Sequence, residues 1–86
     1  MFNFSVNMCN FYFECSVETV LENMKNNCKN SLYLLHGRSR LGSNHVVIAC
    51  ADKIIHDTSG NGIVAPLNDP GFENMYEVTL FNSLRF

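Results

Sequence analysis

The chain is short of most features that announce a function. It has no excess of basic residues: the net charge is −2, and only 16% of residues are charged. A broad surface for nucleic acid or anionic lipid is therefore not expected. There is no C-x-x-C pair, and the four cysteines, Cys9, Cys15, Cys28 and Cys50, are irregularly spaced. No run approaches the roughly 18 apolar residues of a membrane span, and Met-Phe-Asn-Phe-Ser-Val6 offers neither a basic n-region nor a continuous apolar h-region. Without a secretory context the cysteines read as reduced thiols, and the expected location is the cytoplasm. Repeats and low-complexity segments are missing too. Asn is abundant and Ala scarce, which points to AT-rich codons such as many phages and low-GC bacteria use.

What is present fits one α+β domain over residues 1–86. A hydrophobic fraction of 47% is globular, not disordered. Phe2, Phe4 and Val6 alternate with polar residues as in a half-buried strand. Asn7–Asn10 can turn the chain back, leaving Phe11–Phe13 as a second strand or an irregular lead into a helix. The helix is Ser16–Asn27: Ser16 is its N-cap, Glu18 suits its first turn, and Val17, Val20, Leu21, Met24 and Cys28 form one apolar stripe. Strands follow at Leu32–Leu35, Val46–Ile48 and Ile54–Ile55, with a short strand or edge piece at Ile63-Val64 and a last strand over Met75–Phe81. Pro66–Gly71 is a loop by composition. The sum is one helix on a mainly antiparallel sheet of five or six strands.

The chain centres on His45-Val-Val-Ile-Ala-Cys-Ala-Asp-Lys-Ile-Ile-His-Asp57, two β-branched runs around a polar break. His45 opens the first strand of this hairpin, and His56-Asp57 closes the second. Register decides what they can do. A three-residue loop, Ala51-Asp52-Lys53, pairs Cys50 with Ile54 and puts Asp57 on the face of His45; it is the expected loop, since it keeps Lys53 off the ladder. A two-residue loop pairs Cys50 with Lys53 and gives His45 the company of His56, unless a bulge intervenes. Around this end Arg38 and Arg40 can offer fork-shaped donors to a phosphate or carboxylate, or be solvated loop charges. Ser39, Ser43, Thr58, Ser59 and the flexible Gly60 and Gly62 can add hydroxyl and backbone N–H donors for the same anion, and Asn44 stands beside His45 in sequence. His36, His45, His56 and Asp57 are metal-ligand types but lack a short ligand motif, so no metal or other cofactor is expected.

Gly37-Arg-Ser-Arg-Leu-Gly-Ser-Asn44, followed by His45-Val-Val-Ile48 and Ile54-Ile-His-Asp-Thr-Ser-Gly60, resembles the C-terminal β-half of papain-like cysteine peptidases, including phage-borne relatives and bacteriocin-processing peptidases. In those families a strand opens with the catalytic His and the hairpin return ends in Asp, often as His-Asp-Pro. Phage relatives carry a Gly-x-Ser-x-Arg-Gly-like loop before the His. The resemblance covers roughly Leu32 to Val64. It implies a base at His45, its orienter at Asp57 and a nucleophile at Cys15, the one cysteine just before a helix. Two departures stand against an intact enzyme: only thirty positions separate Cys15 from His45, and Met1–Glu14 holds no counterpart of the oxyanion-hole residue.

Two functions are therefore expected in order. The first is a small phage-encoded protein that captures a compact anionic ligand such as a nucleotide signal, or a partner protein, without catalysis. Its ligand-binding residues are Arg38, Ser39, Arg40, Asn44, His45, His56, Asp57 and Ser59, and two protomers can complete the pocket. The alternative is a papain-like thiol hydrolase using Cys15, His45 and Asp57.

Overall fold

A computed structural model describes residues 7–82. The expected strand over Phe2–Val6 lies outside them. The described chain runs β1 (Asn7–Phe13), α1 (Val17–Asn27), β2 (Leu32–Arg38), β3 (Asn44–Cys50), β4 (Lys53–His56) and β5 (Tyr76–Asn82). The strands form one antiparallel sheet in the order β1-β5-β2-β3-β4, with α1 packed on one face. This is the expected α+β architecture. Among the described residues no helix is long and apolar enough to cross a membrane.

α1 begins where its capping chemistry begins. Ser16 is extended, and its hydroxyl accepts from Thr19 N–H at 3.2 Å, satisfying one of the free amides of the first turn. Val20 and Met24 are buried on the sheet, and Val17, Leu21 and Cys28 flank them. Beneath lie Tyr33 and Leu35 of β2, Val47 and Ala49 of β3, and Tyr76 and Val78 of β5. The ladders put them on one face: Leu35 faces Val47 on one side and Val78 on the other.

Three local expectations change. Asn7–Asn10 does not turn. The whole of Asn7–Phe13 pairs with Asn82–Tyr76, and this continuous ladder outweighs the turn preference of asparagine. Ile63-Val64 is not a strand but a strap across the end of β2, held by Arg38 N–H to Ala65 C=O (2.7 Å) and Val64 N–H to Arg38 C=O (2.9 Å).

The third change is at the central hairpin. Cys50 pairs with Lys53, so the loop is the two-residue Ala51-Asp52 and not the expected three-residue one. Ala51 has φ 54° and Asp52 a negative φ, the sign pattern of a type II′ turn, whose twist suits a hairpin. The buried Tyr33 fastens this turn by donating its hydroxyl to Ala51 C=O at 2.6 Å. Lys25 of α1 approaches Asp52 at 3.9 Å, which places the helix C-terminus over the same turn.

Two outcomes follow from this turn. Ala51→Gly relieves a left-handed alanine and raises stability by about 0.5–1 kcal/mol in denaturant titration. Burial, then the charges of Cys50, Asp52 and Cys28, push the Tyr33 hydroxyl up to about 12. A raised folded pKa favours the fold below the unfolded value of about 10 and loses that contribution as pH climbs through the folded value. Wild type should therefore lose stability over this alkaline window relative to Tyr33→Phe, as a pH series of melting temperatures will show.

Candidate functional site

A one-residue irregularity in β4 builds the site. Ala49 pairs with Ile54, but Ile48 pairs with His56, so Ile55 is an extra residue. The bulge shifts the ladder by one position and undoes the effect of the short loop. His56 then lies opposite Ile48, on the face away from His45, and is exposed. Asp57 comes to the helix side, where His45 shares a face with Val47 and Ala49.

There His45 Nε2 meets Asp57 Oδ1 at 2.6 Å, with side chains 17% and 13% exposed. The turn Thr58–Gly62 folds around the same carboxylate. Ser59 N–H and Gly60 N–H each donate to Oδ1 at 3.2 Å, the Ser59 hydroxyl donates to Oδ1 at 3.1 Å, and Gly62 N–H donates to Oδ2 at 2.7 Å. Gly60 and Gly62 both have φ +70°, the left-handed conformation this wrapping requires. The His45 hydrogen bond holds the Asp57 carboxyl well below the usual carboxylate range; partial burial opposes it, and the Gly62 and Ser59 donors reinforce it.

An ionised carboxylate only accepts, so Nε2 of His45 carries the proton and Nδ1 is left to accept, or to take up a second proton. Ser59 Oγ also lies 3.1 Å from Nε2. Having given its proton to Asp57, it can only accept from the ring. Serine and carboxylate thus meet the same ring nitrogen, and the relay of a Ser-His-Asp triad through opposite nitrogens is not formed.

The other expected site residues are divided. Arg38 donates through Nε to Pro66 C=O at 2.7 Å and so anchors the strap. Ser39 is buried, and its hydroxyl accepts from Leu41 N–H at 3.2 Å within its own turn. Asn44 donates to Asp69 at 2.7 Å. Arg40 is exposed at the tip of the β2–β3 loop. The N–H groups of Gly60 and Gly62, expected to face a ligand, turn inward to Asp57. An Asp followed at short spacing by Ser, Gly and Gly is an Asx-turn signature, and it was the signal for this arrangement.

Cys15 lies just before the α1 N-cap and packs against the core. Across the sheet at this level Phe13 stands opposite Tyr76 and Gly37 opposite His45, with the Tyr76 ring packed against Gly37. Phe13 and His45 are thus separated by three strand spacings, roughly 14 Å. The space over Gly37 is full: a Cβ there comes within 2.7 Å of Ile63 Cγ2, 2.8 Å of Ala65 O and 3.0 Å of the Tyr76 ring. From sequence Gly37 is only the first residue of the Gly/Arg/Ser loop; in the structure it belongs to β2 and lets the strap close over the sheet beside His45. Cys15 and His45 share no hydrogen bond, and all four cysteines are free thiols.

Two further features emerge only in three dimensions. On the outer face, away from α1, Glu77 accepts from Tyr12 at 3.0 Å and pairs with His36 Nδ1 at 3.2 Å, a polar row across β1, β5 and β2. Among the described residues, no three His, Cys, Asp or Glu side chains are grouped to hold a metal.

No family model, curated protein or solved structure matches this chain.

The geometry sets two outcomes. Gly37→Ala should cost about 1–3 kcal/mol, because backbone at Ala65 cannot yield as a side chain can. A depressed carboxyl pKa stabilises the fold fully above the unfolded value of about 4, and that contribution declines as pH falls towards the folded value. The gap in melting temperature between wild type and Asp57→Asn should therefore narrow as pH falls below about 4.

Proposed function

We propose that the chain binds a compact anionic ligand, a phosphate-bearing molecule such as a nucleotide, at the His45 end of the helix-side face, without catalysis. The observation that carries this reading is the His45–Asp57 hydrogen bond of 2.6 Å, which fixes the imidazole by one nitrogen and leaves the other for a ligand. In its protonated state His45 presents Nδ1–H as a charged donor, and Arg40 on the neighbouring loop supplies a second cation. Asp57 does not compete for the ligand, because its oxygens are already occupied by the ring, the Ser59 hydroxyl and three backbone amides. The likeness of Gly37–Asp57 to the β-half of papain-like peptidases, including phage-borne ones, supports reading the site as a substrate cleft turned to capture.

The alternative, a thiol hydrolase with Cys15 as nucleophile, His45 as base and Asp57 as orienter, has one specific observation in its favour. A base must be held by one nitrogen with the other free, as His45 is. The packing of Ile63 and Tyr76 over Gly37, between β1 and His45, supports binding instead.

Thermal-shift titration with inorganic phosphate and a panel of nucleotides separates the two. Binding predicts a rise in melting temperature that survives Cys15→Ala, is weakened about tenfold or more in affinity by His45→Ala or Arg40→Ala, and falls with added salt. Rapid iodoacetamide labelling of Cys15, with an esterase or peptidase activity that Cys15→Ala abolishes, supports the hydrolase and overturns the binding reading.

A further inference from the structure

The sheet has two faces, and α1 covers one. An antiparallel sheet with one solvated face normally alternates apolar and polar residues along each strand. β1 and β5 approach this, with Asn10 and Tyr12, and with Glu77 and Thr79, on the outer face, Phe81 being the exception. β2 and β3 do not. Leu32-Tyr-Leu-Leu35 and Val46-Val-Ile-Ala49 are apolar on both sides, the pattern of strands covered twice. Tyr33, Leu35, Val47 and Ala49 face α1 and are buried. Leu32, Leu34, Val46 and Ile48 face outward, with Leu34 paired to Ile48, and Leu32 and Val46 are 52% and 42% exposed. Among the described residues nothing covers this patch.

We infer that the outer face is a homodimer interface, the patch of Leu32, Leu34, Val46 and Ile48 packing against the same patch of a second copy of this chain. Charge supports a like partner. The carboxylate in the middle of the face, Glu77, is already bonded to His36 and Tyr12, and Lys53 and His56, which stand opposite Cys50 and Ile48 on this face, lie on the edge strand beyond the patch, so the patch itself sets no charge against its own copy. Area supports it as well. Four strands of seven residues, with Phe72 stacked on Tyr12 at the β1 margin, make a face of roughly 450 Å² in plan, and two such faces approach the ~1,000 Å² of a specific interface before side-chain relief is counted. A two-fold pairing of one patch with itself is also the commonest way to close an oligomer. The sheets stack as a sandwich with both His45 sites turned away from the interface. Each protomer then keeps its own site, unlike the expectation that two protomers complete one pocket. The inference does not rest on the ligand proposed for His45.

Sedimentation velocity of the full chain over a concentration series tests it, alongside the double variant Leu32→Lys/Val46→Lys and, separately, Ile55→Lys on the exposed edge strand. Both outer-face positions are well exposed, so lysine is tolerated in the monomer, and circular dichroism checks the fold. The expected result is a wild-type mass rising to twice that of one chain, a dissociation constant at least about tenfold weaker in the double variant, and little change in Ile55→Lys. A wild-type chain still monomeric at about 1 mM, far above the micromolar range of weak interfaces of this kind, overturns the proposal. So does a dimer that survives the double variant, or one that Ile55→Lys alone dissociates, which assigns association to the edge of β4.

Discussion

The bulge at Ile55 is the constraint on which the site depends. Side chains alternate along a strand, so a shift of one position exchanges everything one face presents for everything on the other. With the tight Ala51-Asp52 turn and an unbroken ladder, Val47 stands opposite His56, and His45 keeps the face of a second histidine. One extra residue between Ile54 and His56 reverses this and sets Asp57 beside His45. Bulges are frequent next to functional sites because they re-aim a side chain without moving the scaffold. Here the scaffold is the pair of strands β2 and β3, whose helix-side face is buried, pinned by Tyr33 at one end and by the Gly37 strap at the other.

Asp57 is the electrostatic centre of the arrangement. Three backbone amides, one hydroxyl and one imidazole converge on it, so a carboxylate largely withdrawn from water stays ionised. Towards His45 it acts by orientation: it sets the tautomer and holds the ring. The turn Thr58–Gly62 serves that carboxylate and also delivers Ile63 into the core, where it fills the space that Gly37 leaves. Site and core are thus joined through five residues of loop.

Much of this fold was legible because its signals are local. The Ser16 cap and the stripe through Val20 and Met24 specify α1, and the β-branched runs specify β3 and β4. The pairing of His45 with Asp57 was legible as chemistry, but its geometry was not: the expected three-residue loop gives the right face for the wrong reason. Nothing in Ile54-Ile55 marks a bulge, since two isoleucines suit a regular strand equally well. Arg38 and Asn44 carry no sign of their partners, Pro66 and Asp69, which arrive from more than twenty positions away. The row of Tyr12, Glu77 and His36 was hidden for the same reason, as strand order cannot be read from spacing.

Asp57 fixes His45 through Nε2 and leaves Nδ1 free of that bond. Long-range ¹H–¹⁵N correlation spectra of imidazole-labelled protein, recorded where the ring is neutral, test it directly by reading which nitrogen carries the proton. The expected result is the Nε2–H tautomer for His45, with this preference lost in Asp57→Ala. A dominant Nδ1–H tautomer, or equal tautomers unaffected by Asp57→Ala, contradicts it.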